Sequence, residues 1–215
     1  DIIIVNKPAG QLSQGAKGFD LDLVSEVMTY NASQGKPAYA AIINRLDRPV
    51  SGLVLIAKNK SAAAKYSTLM QKEGGFNKQY EALICGKPSE PKGTFVDYLK
   101  KDGRTNTSAI VPADAAANDK EAKLSKLEYE VISYDEVKDI THVRIHLITG
   151  RHHQIRVQFA SRRHPLVGDY KYATADCGMD NAVKAVAFKR NQIALCAVSL
   201  TVDNKTYSVA PEFLL

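Results

Sequence analysis

Apolar residues fall along the chain in two recurring patterns. The first is the short continuous run. Ile2 to Val5 is β-branched throughout and is stopped by Asn6-Lys7-Pro8-Ala9-Gly10, which reads as a buried strand entering a turn. Leu53-Val54-Leu55-Ile56-Ala57 is apolar on both faces and fits a central strand, with Tyr39 to Ile43 as a shorter strand before it. The second pattern is alternation. From Thr141 to Ile148, Val143, Ile145 and Leu147 point one way and His142, Arg144 and His146 the other. Phe76 to Cys85, Thr94 to Leu99, Ser108 to Val111 and Lys123 to Ser133 read as further strands. Residues 112–122 interrupt them as an alanine-rich, acidic loop or edge excursion. Gln192 to Val202 and Thr206 to Val209 form a hairpin around Asp203-Asn204, a dipeptide suited to a tight turn.

Helical spacing is rarer. Leu23 and Val27, with Val24 and Met28, repeat at four residues behind Asp20, a candidate cap, and Asn31 to Pro37 breaks the pattern. Ser61 is placed to cap a second helix that turns Ala62, Tyr66, Leu69 and Met70 inward and ends at Gly74-Gly75. Ile155 and Phe159, like His152 and Arg156, are four apart behind a glycine turn and predict a third. Residues 174–190 are mixed, part loop and part helix. Strands dominate and no internal repeat occurs. The expectation is an α+β domain on a mixed, mostly antiparallel sheet with a few flanking helices.

Composition narrows the function classes. The 215 residues are 45% hydrophobic and 24% charged, a globular profile. The net charge of +6 is compatible with a polyanionic partner. Three scattered cysteines form no CxxC pair, which argues against a disulfide framework or zinc knuckle and suits a reducing, cytoplasmic setting. No apolar run approaches the length of a membrane span, and no leader is evident. The chain opens on Asp1 rather than methionine, which leaves open whether residues precede it. His142 and His146 would suggest a metal on a helix; on a strand they merely share the polar face, and no metal is expected.

The chemistry concentrates in two stretches. In Asn44-Arg45-Leu46-Asp47-Arg48-Pro49-Val50-Ser51-Gly52 a carboxylate lies between two arginines, in a connection between core strands where a catalytic group can be held accurately. In the second, Arg151, Arg156, Arg162, Arg163 and Lys171 gather among His152, His153, Gln154 and Gln158, side chains able to bond phosphates and base edges. Tyr80, on a strand, can stack on a base.

Asn44 to Gly52 resembles the His-Arg-Leu-Asp-x-x-Thr-Ser-Gly signature of the RluA-type pseudouridine synthases. Gly150-Arg151-His152-His153-Gln154-Ile155-Arg156 is similar to that family's Gly-Arg-Thr-His-Gln-Ile-Arg segment, and His164-Pro165-Leu166-Val167-Gly168-Asp169 to the continuation that follows it. Ile4 to Gly10 and Lys78-Gln79-Tyr80-Glu81-Ala82 match as well, in the family's order. The resemblance implies a pseudouridine synthase-like catalytic domain over 1–215, without the small RNA-binding domain that some relatives carry. It further implies an isomerase that turns uridine into pseudouridine in structured RNA, a stem-loop of ribosomal or transfer RNA, with no cofactor. By the same carry-over Asp47 is the catalytic carboxylate, as nucleophile at C1′ or base at C2′, Arg156 is its paired arginine and Tyr80 stacks on the uracil. Arg45 fills the gap left by the flipped base, and Lys7, Arg151, His153 and Arg163 are phosphate or packing contacts. The chain is expected to act as a monomer. Asn44, Val50 and His152 depart from the pattern beside the active centre without removing a catalytic group, and Gln158 stands where a histidine is common. A silent RNA-binding module on the same scaffold has no use for an aspartate facing phosphates. An RNA methyltransferase would want a glycine-rich loop and a parallel sheet, and neither is present.

Overall fold

The computed structural model describes residues 1–15, 22–72, 74–186 and 192–213. In chain order its elements begin with β1 (Ile2–Lys7), α1 (Leu23–Ser33), β2 (Ala41–Ile42), β3 (Ser51–Ala57) and α2 (Lys60–Gln71). The middle of the chain forms β4 (Asn77–Cys85), β5 (Lys92–Asp102), β6 (Thr107–Val111), the short α3 (Ala113–Ala116), β7 (Lys123–Asp135) and β8 (Ile140–Leu147). It closes with α4 (Gln154–Ala160), α5 (Met179–Val186), β9 (Leu195–Val202) and β10 (Lys205–Ser208). The expected α+β class holds. The strand pairings within each of its two compact units are antiparallel apart from β3 with β9. Among the described residues, no helix is long and apolar enough to cross a membrane.

The first unit comprises Asp1–Lys78 with Cys196–Pro211. β3 is buried along its whole length, as its two-sided apolar run predicts, and pairs with β1, β2 and β9. Leu53, Leu55 and Ala57 pack against Ala62 and Tyr66 of α2, Phe76, and Leu200 and Val202 of β9. Each large side chain buried there contributes about 1.5–3 kcal/mol. α1 is capped by Asp22, whose carboxylate accepts from Ser25 N at 2.7 Å; Asp20 lies outside the described residues. Asn59 caps α2 in place of Ser61, accepting from Ala62 N at 2.8 Å, and leaves Ser61 inside the first turn. Asp203 and Asn204 both have positive φ, 47° and 60°, the backbone that a two-residue hairpin turn requires.

The second unit comprises Gln79–Leu195 with Glu212–Leu215. Its strands run β4-β8-β7-β5-β6, each neighbouring pair antiparallel. Val143, Ile145 and Leu147 are buried as the alternation predicts, and the opposite face is laced by polar contacts. Glu81 meets His142 at 3.1 Å and Arg144 at 3.2 Å, and Glu128 lies 3.5 Å from His146. The stretch 112–122 is not all loop, because Ala113–Ala116 makes one helical turn with Ala116 buried. α4 packs on β5 and β6.

Candidate active site

Asp47 sits in the first unit, in the connection between β2 and β3, and backbone geometry fixes that connection at both ends. At its start, Asn44 behaves as an extra strand residue: its Oδ1 accepts from Leu55 N at 2.7 Å and its Nδ2 donates to Leu53 O at 3.1 Å. At its end Gly52 has φ +114°, and a Cβ there would stand 2.4 Å from the Ala197 carbonyl oxygen, so only glycine allows β3 to lie beside β9. Leu46 and Val50 are buried as anchors, Val50 N donates to Asp47 O at 3.0 Å, and the Asp47 side chain is half-buried between them.

The segment after β1 clasps this connection. Gly10 N donates to Arg48 O at 2.7 Å, and Arg48 Nε donates back to Gly10 O at 2.9 Å. Ser13 Oγ donates to Leu46 O at 2.6 Å. Lys7 is wholly buried, with its ammonium donating to Pro8 O and Gln11 O at 2.9 Å and reaching Arg48 O at 3.4 Å. Burial lowers its pKa to about 8, against the opposing pull of the Asp47 carboxylate. Of the two roles expected for Lys7, a phosphate contact does not fit a withdrawn ammonium; packing does. Lys7 is thus a buried cation within electrostatic reach of Asp47, and Arg45 and Arg48 are exposed.

The second unit holds Tyr80 and Arg156. Tyr80 lies in β4 opposite Ile145, its side chain buried. Arg156, in α4, is buried and makes a side-on bridge to Asp169, Nε to Oδ2 at 2.7 Å and Nη2 to Oδ1 at 2.8 Å. Its Cζ lies 5.2 Å from the centroid of the Tyr172 ring. His153 caps α4 in the left-handed conformation, φ 53°, with Nδ1 2.6 Å from Tyr172 Oη. His152 stacks on His153 at 3.8 Å and meets Ser108 Oγ at 2.8 Å. α4 begins at Gln154, so His152 precedes the helix rather than sharing a face of it with Arg156.

The polar residues expected to line a phosphate surface turn inward instead, because α4 is pressed against β5 and β6. Gln154 staples the turn before α4, accepting from Thr149 Oγ1 at 2.8 Å and Arg151 N at 3.0 Å and donating to Lys126 O at 3.1 Å. Gln158 donates to Asp97 at 2.6 Å, and Arg162 pairs with the same carboxylate while lying 4.0 Å from the Phe95 ring centroid. His153 is likewise buried. Arg151, Arg163 and Lys171 remain exposed, with Arg151 and Lys171 pinned by donating to the carbonyls of Leu124 and Asn106. Sequence reasoning gave no role to Asp169, Tyr172, Ser108 or Ser13. Asp169 had a signal, since it closes a quoted motif, but nothing local named its partner.

Residues 1–161 match the family model described as RNA pseudouridylate synthase. Among curated proteins, the ribosomal large subunit pseudouridine synthase C of Rickettsia bellii is 33% identical over 172 residues, 80% of this chain and 54% of that protein. The chain spans little more than half the length of the curated relatives of this kind. Among solved structures, human RNA pseudouridylate synthase domain containing 1 superposes with a TM-score of 0.72 at 23% identity, covering 99% of this chain and 80% of that one. Its human counterpart, domain containing 4, gives 0.75 at 18% identity, covering 98% and 85%. These likenesses carry the fold.

Proposed function

The chain belongs to the RNA pseudouridylate synthase family, and on that premise we propose that it isomerises uridine to pseudouridine in structured RNA. The carrying observation is the Asp47 connection, a carboxylate held between buried anchors, clasped by Gly10 and Ser13 and accompanied by the buried Lys7 ammonium. A binding module has no need to fix an acid so firmly. In this reading Asp47 acts on the ribose while the N1–C1′ bond breaks with its electron pair going to N1; the uracil turns, C5 bonds to C1′, the C5 proton leaves to solvent, and N1 takes up a proton from solvent. Nucleophilic attack at C1′ and proton removal at C2′ both require the ionised carboxylate. Tyr80 supplies the ring beneath the uracil, Arg156 the cation that favours the charged aspartate, and Arg45 the side chain that fills the flipped base's place. Arg151, Arg163 and Lys171 contact phosphates. Relatives named for the ribosomal large subunit favour its RNA, in the cytoplasm, as the substrate over transfer RNA.

The test is tritium release from transcripts labelled at uridine C5, using large-subunit ribosomal RNA and transfer RNA side by side. Wild-type protein releases tritium from the ribosomal transcript. Asp47→Asn releases none, yet binds the RNA within about threefold of wild type, since a neutral isostere leaves the phosphate contacts in place. Turnover by the asparagine variant would refute the role of Asp47, and release from neither RNA by wild type would refute the function.

A further inference from the structure

The turn Asp169–Tyr172 presents two different groups to one guanidinium. Asp169 takes the Nε–Nη2 edge of Arg156 in its plane, through hydrogen bonds of 2.7 and 2.8 Å. The Tyr172 ring lies against the same group, 5.2 Å from Cζ to the centroid, within range of a cation–π contact. The turn closes on itself, since Tyr172 N donates to Asp169 O at 3.3 Å. The carboxylate holds one edge of the guanidinium, and the ring bears on its face.

The ring is itself fixed from the far side. Ser108 N, on β6, donates to Tyr172 Oη at 2.9 Å. The same hydroxyl lies 2.6 Å from His153 Nδ1, within hydrogen-bond distance. Ser108 also holds His152 through Oγ, and His152 stacks on His153 at 3.8 Å. Strand β6, the residue before α4 and the Asp169–Tyr172 turn therefore converge on the orientation of one arginine.

We infer that Tyr172 is a positioning residue for Arg156, its ring setting the plane of the guanidinium and its hydroxyl, held by Ser108 and His153, setting the ring. The catalytic consequence rests on the function proposed above; the orientation of Arg156 does not.

Two readouts separate these. In the free protein the Arg156 Nε–H resonance reports the Asp169 bridge directly. Tyr172→Leu shifts it and speeds its exchange with water about tenfold or more, and Tyr172→Phe, which keeps the ring and loses the hydroxyl, does so to a lesser degree. In the tritium-release assay Tyr172→Leu lowers kcat about tenfold or more with KM within about twofold, as misplacement of a catalytic group does; Tyr172→Phe falls between it and wild type. In an Arg156→Lys background Tyr172→Leu lowers kcat no further, because both changes act through one group. An unmoved Arg156 resonance, or kcat losses that multiply in the double variant, overturns the inference. If Tyr172→Leu does not fold, Tyr172→Phe carries both readouts, and a wild-type resonance and kcat in that variant are the overturning result. A wild-type protein that releases no tritium refutes the proposed function, while the resonance still decides whether Tyr172 positions Arg156.

Discussion

Lys7→Met tests the clasp on the Asp47 connection and does so without any substrate. Methionine matches the lysine stem in length and removes the charge from a site that is fully buried. In the unfolded chain the ammonium titrates near its ordinary 10.5; in the folded protein burial lowers it to about 8. Between those values the unfolded chain keeps a proton that the folded chain has released, so stability rises with pH across this window. The displacement amounts to about 3 kcal/mol, the amount by which the charged Lys7 burdens the fold below pH 8 and which is relieved by pH 10.5. At neutral pH the variant escapes that burden but strands the carbonyls of Pro8, Gln11 and Arg48, which lose their donor. These effects oppose, so the two proteins differ by less than about 2 kcal/mol at pH 7. The slope is the diagnostic. Urea unfolding of both proteins at intervals from pH 7 to 10.5 isolates Lys7, because the other alkaline groups, Cys85 among them, titrate in both. Wild type gains about 3 kcal/mol relative to the variant over that range. Parallel curves would show that Lys7 does not carry a buried charge and would remove the electrostatic account of the clasp.

The remaining expectations concern the groups around it. Gly52→Ala forces a Cβ against the Ala197 carbonyl at a φ of +114° and destabilises by about 3 kcal/mol, read from the urea midpoint; an unchanged midpoint would mean that β3 and β9 separate easily. Asp169→Asn leaves the buried Arg156 without its full countercharge and costs about 3–5 kcal/mol of stability together with most of the tritium release. Wild-type stability in that variant would show the bridge to be dispensable. RNA affinity falls as salt rises, and Arg163→Ala reduces the slope of log Kd against log salt by about one phosphate contact; an unaltered slope would take Arg163 off the RNA surface.

Local physics made much of the fold legible before any coordinates. The Ile2 to Val5 run, the two-sided apolar β3 and the alternation of β8 each fix a strand by side-chain period alone. Asp203-Asn204 announces its turn because few residues tolerate two successive positive φ values. Where the sequence reading went astray, two local candidates competed and geometry chose. Asn59, not Ser61, caps α2, because its extended backbone carries its side chain to the free N–H of Ala62. The phosphate-ready polar residues around α4 proved mostly structural, because Gln154, Gln158 and Arg162 bond to groups on β5, on β7 or in the turn before the helix.

By itself the sequence pointed to candidate residues for the chemistry, because an aspartate in an Arg-Leu-Asp connection and the Gly-Arg-His-His-Gln-Ile-Arg segment are readable as strings and resemble a known family. It also determined where the strands lie, since period-two and β-branched patterns act over a few residues. Only the tertiary structure decided partners. Lys7 near Asp47, Asp169 and Tyr172 on Arg156, and Ser108 on His152 and Tyr172 are pairings that no run of neighbouring residues announces. Charge shows in a sequence, but desolvation does not: whether a lysine meets a phosphate or a ring of carbonyls depends on which surfaces the fold takes out of water, and that is settled by packing rather than by neighbours in the chain.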